Sequence, residues 1–220
     1  ENDIVYMKTV KGPLKVDCIY RRLDDSFLDP KAFNKESVIG VPGLFKCWRK
    51  GNVGILNAIG TGIADDKVVY SYVNKMIVYY LGEQPILNQV ETYLCHEKIQ
   101  RDYVIDNISK LVVKPANASG GYGIMIGPKA PPKERQEVIN KIKKNPREFI
   151  AQPLEILSTA PTITENDIEP RHLDLRPFVL SGKTSYVTTG GLTRVALRKG
   201  STIVNSSQGG GSKDTLIVDM

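Results

Sequence analysis

From residue 173 onward the chain reads as strand after strand parted by short glycine turns, whereas residues 53–152 alternate strand patterns with helical ones. That segregation narrows the fold more than any other feature. Alternation first and antiparallel strands later describe an α+β architecture, here with two subdomains expected to meet near residues 128–152. The late strands are expected at 173–180, 184–188, 192–197, 202–205 and 215–218, joined by Ser181-Gly182-Lys183, Lys199-Gly200 and a loop over 206–213. Upstream, residues 16–22 and 53–56 read as strands. Val68, Val69, Tyr72, Val73, Met76, Ile77 and Tyr80 then recur at helical spacing from about Asp65 to Gly82. Strands at 92–95, 111–114, 123–127 and 148–152 frame helices at 97–108 and 131–144, the latter begun by proline.

Several classes of function drop out early. Apolar runs extend only a handful of residues, far short of the roughly 20 that cross a bilayer, so no membrane span is expected. The opening Glu1-Asn2-Asp3-Ile4-Val5-Tyr6 lacks the pattern of a secretion signal and resembles a strand cut from a longer protein, so a fragment is expected. Cys18, Cys47 and Cys95 are odd in number, widely spaced and without C-x-x-C, which fits a reducing, cytoplasmic setting. His96 and His172 lie near no cysteine, leaving a zinc site short of ligands while oxygen-held magnesium stays open. Neither histidine suggests a catalytic triad.

Thirty basic residues against 24 acidic ones give a net charge of +6, and the excess is concentrated. Residues 129–148 and 171–220 each hold seven basic and three acidic side chains. In the second segment these alternate with glycines and strands rather than with aromatics on a recognition helix, so an anionic small ligand is expected instead of nucleic acid. Oligomeric state leaves no mark on the sequence.

The strongest local signal is Lys114-Pro-Ala-Asn-Ala-Ser-Gly-Gly-Tyr-Gly-Ile. Gly120, Gly121 and Gly123 let backbone N–H groups approach an anion, and Lys114 at a strand end sets a point charge against it. No Gly-Lys-Ser/Thr follows, so this is not a Walker A loop, and a plain glycine-rich hairpin turn is the alternative. Asp66-Lys67 opens a helix after a glycine loop, which suits either an anion or a solvated surface lysine. Asp174 and Arg176 share one face of a strand, as cleft residues or as part of an ordinary ion pair. Arg194 and Arg198 are expected on one face of the next strand, and Asn205 leads a polar loop, Asn205-Ser-Ser-Gln-Gly-Gly-Gly-Ser-Lys213.

Taken in order, Asn57…Asp66-Lys67, Val112-Val113-Lys114-Pro115…Gly120-Gly121-Tyr122-Gly123, Phe149-Ile-Ala-Gln152, Asp174-Leu-Arg176-Pro-Phe-Val, Arg194, and Asn205…Gly209-Gly210 resemble an ATP-grasp enzyme. Val16-Asp-Cys-Ile-Tyr-Arg-Arg-Leu-Asp-Asp and Gly190-Gly-Leu-Thr-Arg-Val-Ala-Leu-Arg resemble the circularly permuted ATP-grasp family, type 2, related to glutathionylspermidine synthase and other carboxylate–amine ligases. The resemblance implies an ATP-grasp fold with ATP and Mg2+ as cofactors and a small-molecule carboxylate and amine as substrates. It implies that residues 1–89 form a preceding α/β portion and 90–220 the nucleotide-binding body. Lys67 and Lys114 would hold the phosphates, Ser119, Gly120, Gly121, Tyr122 and Gly123 would fold over them, and the strand at Gln152 would face the adenine. Asp174 would be a ribose-side or hinge-side acid. Arg176 and Arg194 would steady charge on the γ-phosphate, with Asn205 close to the reacting end.

The family's acidic Glu-x-Asn type magnesium motif is not found after Asn205. In permuted members that strand belongs to an N-terminal region, so the chain is expected to lack part of its metal site. A nucleotide-binding or partner-binding module without catalysis is therefore the rival expectation.

Overall fold

The computed structural model describes residues 2–118, 121–165, 167–202, 204–205 and 209–218. Contacts group into two compact units, residues 1–86 and 87–220.

In the first unit, β1 (Tyr6–Thr9) and β2 (Gly12–Lys15) form an antiparallel hairpin, and β3 (Cys18–Tyr20) pairs in parallel with β4 (Gly54–Leu56). The parallel pairing requires a long crossover, which carries α1 (Asp25–Leu28) and α2 (Leu44–Arg49). Leu28, Leu44, Cys47, Val53 and Ile55 are its core. Asp29, 1% exposed, accepts backbone hydrogen bonds from Lys31 (2.8 Å), Gly43 (3.0 Å) and Phe45 (2.9 Å), which ties α1 to the start of α2. Arg21 is a structural clasp. Its guanidinium donates to the carbonyls of Asn57 (2.7 Å), Leu23 (2.9 Å) and Ala58 (2.7 Å) and pairs with Asp25 at 2.6 Å.

The single helix expected from about Asp65 is instead a 3-10 turn (Thr61–Asp65), α3 (Lys67–Tyr70), α4 (Val73–Met76) and a π turn (Ile77–Leu81) ending at Gly82. β-Branched residues are stiff in helices, and Ser71 adds a local competitor. Its hydroxyl donates to the Val68 carbonyl at 2.8 Å while its N–H takes the same oxygen at 3.1 Å, closing the turn early.

In the second unit, β5 (Tyr93–Leu94), β8 (Phe149–Pro153), β6 (Leu111–Pro115) and β7 (Met125–Ile126) make an antiparallel sheet in that order. Helices α5 (Lys98–Asp106) and α6 (Pro132–Lys144) supply Val104 and Ile142 to a core completed by Cys95, Ile108, Leu111, Val113, Met125, Ala130 and Ala151. Strand alternation then sends Val112, Lys114, Ile126 and Gln152 to the opposite face. A second antiparallel sheet runs β12 (Gly210–Lys213), β11 (Ser185–Ala196), β10 (Ile168–Ser181), β9 (Thr159–Ile163).

Several expected strands differ. Residues 184–188 and 192–197, read as two strands, are one, because Gly190-Gly191 marks an irregularity opposite Pro177 rather than a break. Proline has no N–H to give the ladder, and the register shifts between Pro177 and Val179. The described parts of 202–205 and 215–218 hold no strand; β12 occupies the expected loop, and β9 was not foreseen. Arg198 lies beyond the end of β11 and so shares no strand face with Arg194. No helix among the described residues is long and apolar enough to cross a membrane.

Candidate functional site

The buried-face alternation of β6 and β8 leaves a polar, cation-bearing face, and a cavity of about 580 Å3 opens against it. Lys114 from β6 and Gln152 from β8 line it, with Gly121 from the glycine segment, Arg176 from β10, Arg194 from β11 and Asn205 beyond. Val90, Val112, Ile124, Ile126, Leu154 and Val204 give apolar walls. Three cations beside an apolar wall suit a ligand with a flat uncharged part and an anionic part, and the volume falls within the roughly 300–1,000 Å3 of small-molecule sites.

Lys114 and Arg194 are held in place. Lys114 Nζ donates to Gln152 Oε1 at 2.6 Å, and Gln152 Nε2 donates to Thr92 Oγ1 at 2.8 Å. Asp174 and Arg194 stand directly opposite in the β10–β11 register. Arg194 Nε donates to Asp174 Oδ1 at 2.9 Å and Nη2 to Oδ2, a two-pronged pair. Hydrogen bonds from Arg194 hold the Asp174 carboxyl below the usual carboxylate range, and Asp174 pushes the Arg194 guanidinium up. The ion pair that strand alternation suggested around Asp174 therefore forms with Arg194 across the sheet.

The glycine segment begins with buried Ala116, and Gly121 and Gly123 take φ of +81° and +71°, the left-handed region that side chains disfavour. Tyr122 is exposed, while Ser119 and Gly120 lie outside the described residues. Asn205 is fixed by its carbonyl, which accepts from Gly210 N at 3.0 Å. Lys67 belongs to the first unit, where Asp66 caps its helix by accepting from Val68 N at 2.8 Å. Burial lowers the Lys67 ammonium pKa, against the opposing pull of Asp66 and Asp65.

The residues fit a nucleotide better than they fit a metal held by protein alone. Cations and amides match phosphates, and the apolar wall matches a base. Among the described residues no three histidine, cysteine or acidic side chains gather as metal ligands, and Glu155 is the carboxylate on the cavity wall. The first unit holds another hollow, of about 670 Å3, but its Asp29 is saturated by backbone N–H groups and its Lys46 pairs with Asp3 at 2.8 Å.

Residues 1–196 match the profile of the circularly permuted ATP-grasp type 2 family. The chain belongs to that family. Among its relatives, an uncharacterised protein of Synechocystis is 55% identical over 213 residues, covering 96% of this chain and 44% of that protein. One from Mycobacterium tuberculosis is 54% identical over 215 residues, covering 97% and 39%. A Frankia casuarinae protein provisionally named glutamate–cysteine ligase 2-2 is 48% identical over 217 residues, covering 99% and 25%. The chain thus spans between a quarter and less than half the length of these family members.

The sequence reading missed Glu155 and Thr202 on the cavity wall, and Thr92, which stands behind Gln152; for Thr92 the reason is plain. Its one sequence signal is its place at the start of the β5 strand pattern, and nothing there points to Gln152, sixty positions away.

Proposed function

We propose that the second unit is the nucleotide-holding body of an ATP-dependent ligase that joins a carboxylate to an amine through an acyl phosphate. One observation carries the reading: Lys114, Gln152, Arg176, Arg194 and Asn205, from two sheets and a loop, line a single cavity. Membership of the ATP-grasp family and the ligase name of the Frankia relative support it.

In this reading Lys114 holds phosphate oxygens, the segment of Gly121, Tyr122 and Gly123 covers them, and the strand at Gln152 borders the base. The substrate carboxylate attacks the γ-phosphorus and ADP leaves; the amine then attacks the acyl carbon, phosphate departs and the amine loses a proton. Arg176 and Arg194 stabilise the charge that concentrates at the transferring phosphoryl group, with Asn205 beside it. Asp174 acts chiefly on Arg194, since both its oxygens are engaged there. Lys67 lies in the first unit, and its assignment to phosphate rests on the family pattern alone. Magnesium, when bound, would supply further positive charge to the phosphates.

Calorimetric titration with Mg-ATP tests the reading: saturable binding is expected, and its absence overturns it. An ADP-release assay on a longer protein containing this chain, screened with amino acids and polyamines, separates a ligase from a nucleotide-binding module without catalysis.

A further inference from the structure

We infer that Thr92 is a positioning residue for the phosphate-holding lysine, acting through Gln152; this rests on the nucleotide reading of the cavity. The directions of the hydrogen bonds force the argument. An ammonium only donates, so Lys114 Nζ at 2.6 Å requires Oε1 of Gln152 rather than its nitrogen. The amide nitrogen of Gln152 therefore points the other way, to Thr92 Oγ1 at 2.8 Å, and as a donor it needs an acceptor there. The Thr92 hydroxyl then has its own proton to place, and the Val90 carbonyl takes it at 3.0 Å.

Each member thus fixes the next, from a backbone carbonyl to the cation on the cavity wall. Gln152 is only 8% exposed, so water offers its amide little compensation if the chain is cut. Turning the amide over would set its NH2 against the ammonium, donor against donor. With its proton given to the Val90 carbonyl, the Thr92 hydroxyl presents Gln152 with an acceptor, which makes the productive orientation the stable one, and strand β8 carries the effect from Thr92, just before β5, to β6.

The test is a double-mutant cycle read as ATP dissociation constants by calorimetry on the full chain. Thr92→Val is expected to weaken ATP about tenfold, the scale of one lost hydrogen bond to a charged network, while Thr92→Ser, which keeps the hydroxyl, stays within about twofold. In a Lys114→Ala background, Thr92→Val should cost no further affinity. Equal losses in both backgrounds would mean a purely structural role and overturn the inference while leaving the nucleotide reading intact. If Lys114→Ala alone binds ATP like the wild type, that assignment of Lys114 falls and the inference with it. Should Thr92→Val fail to fold, Thr92→Ala completes the same cycle, with the same outcomes deciding it.

Discussion

Arg194 grips both carboxylate oxygens of Asp174 across the β10–β11 ladder, one strand position against its opposite. The grip fixes the plane of a guanidinium that faces the cavity. Because Arg194 lowers the carboxyl pKa, the pair's stabilisation is fully present above the unfolded value of about 3.9 and is lost as pH falls through the lower folded value. Asp174→Asn should therefore cost about 1–2 kcal/mol at pH 7 and flatten the acid limb of stability against pH. Urea titrations between pH 2 and 7 check this, and superimposable acid limbs would count against it.

Lys114→Ala should weaken ATP binding by about 1.5–3 kcal/mol, the range for a hydrogen bond to a charged group. Calorimetry reads this directly, and unchanged affinity would remove Lys114 from the site.

Gly210 lies so close to the chain before it that a Cβ would sit 2.3 Å from the Val204 carbonyl oxygen and 2.9 Å from that of Asn205. Gly210→Ala should lower stability by about 1–3 kcal/mol through overpacking. It should also weaken nucleotide binding, since Val204 and Asn205 line the cavity. Gly182→Ala, where a Cβ meets nothing nearer than 3.7 Å, is the control and should leave both within experimental error.

Asp29→Ala would strand the three backbone donors that the buried carboxylate now satisfies, and the first unit should lose about 3 kcal/mol or more. Burial alone would raise this carboxyl's pKa, but the hydrogen bonds from Gly43, Phe45 and Lys31 outweigh it and the net shift is downward. Its contribution is therefore present at neutral pH and disappears in acid. Denaturant unfolding followed by Trp48 fluorescence measures the loss, and an unchanged midpoint would contradict it.

The hairpin of β6 and β7 and the proline-led helix α6 were legible because their signals are local: an apolar run followed by a glycine-rich tip, and a proline at a helix start. The same local reading failed at Gly190-Gly191, where glycines usually mark a turn but here accommodate the irregularity opposite Pro177 in one long strand. It failed again after Asp65, where apolar spacing suggested one helix and Ser71 with its β-branched neighbours divided it. Arg21 lies in the family-like stretch that begins at Val16, and only the fold shows that its guanidinium is taken up by the carbonyls of the 57–58 loop and by Asp25.

Sequence alone determined the order of elements from β5 to β8 and the supply of cations, because apolar periodicity and charge are written residue by residue. It also carried the ordered motifs by which the family is known. Only the tertiary structure decided partnership: Asp174 with Arg194, twenty positions away, and Lys114 with Gln152 and Thr92. Register between strands sets those pairs, and register depends on how whole faces are buried, an energy that no short stretch of chain contains.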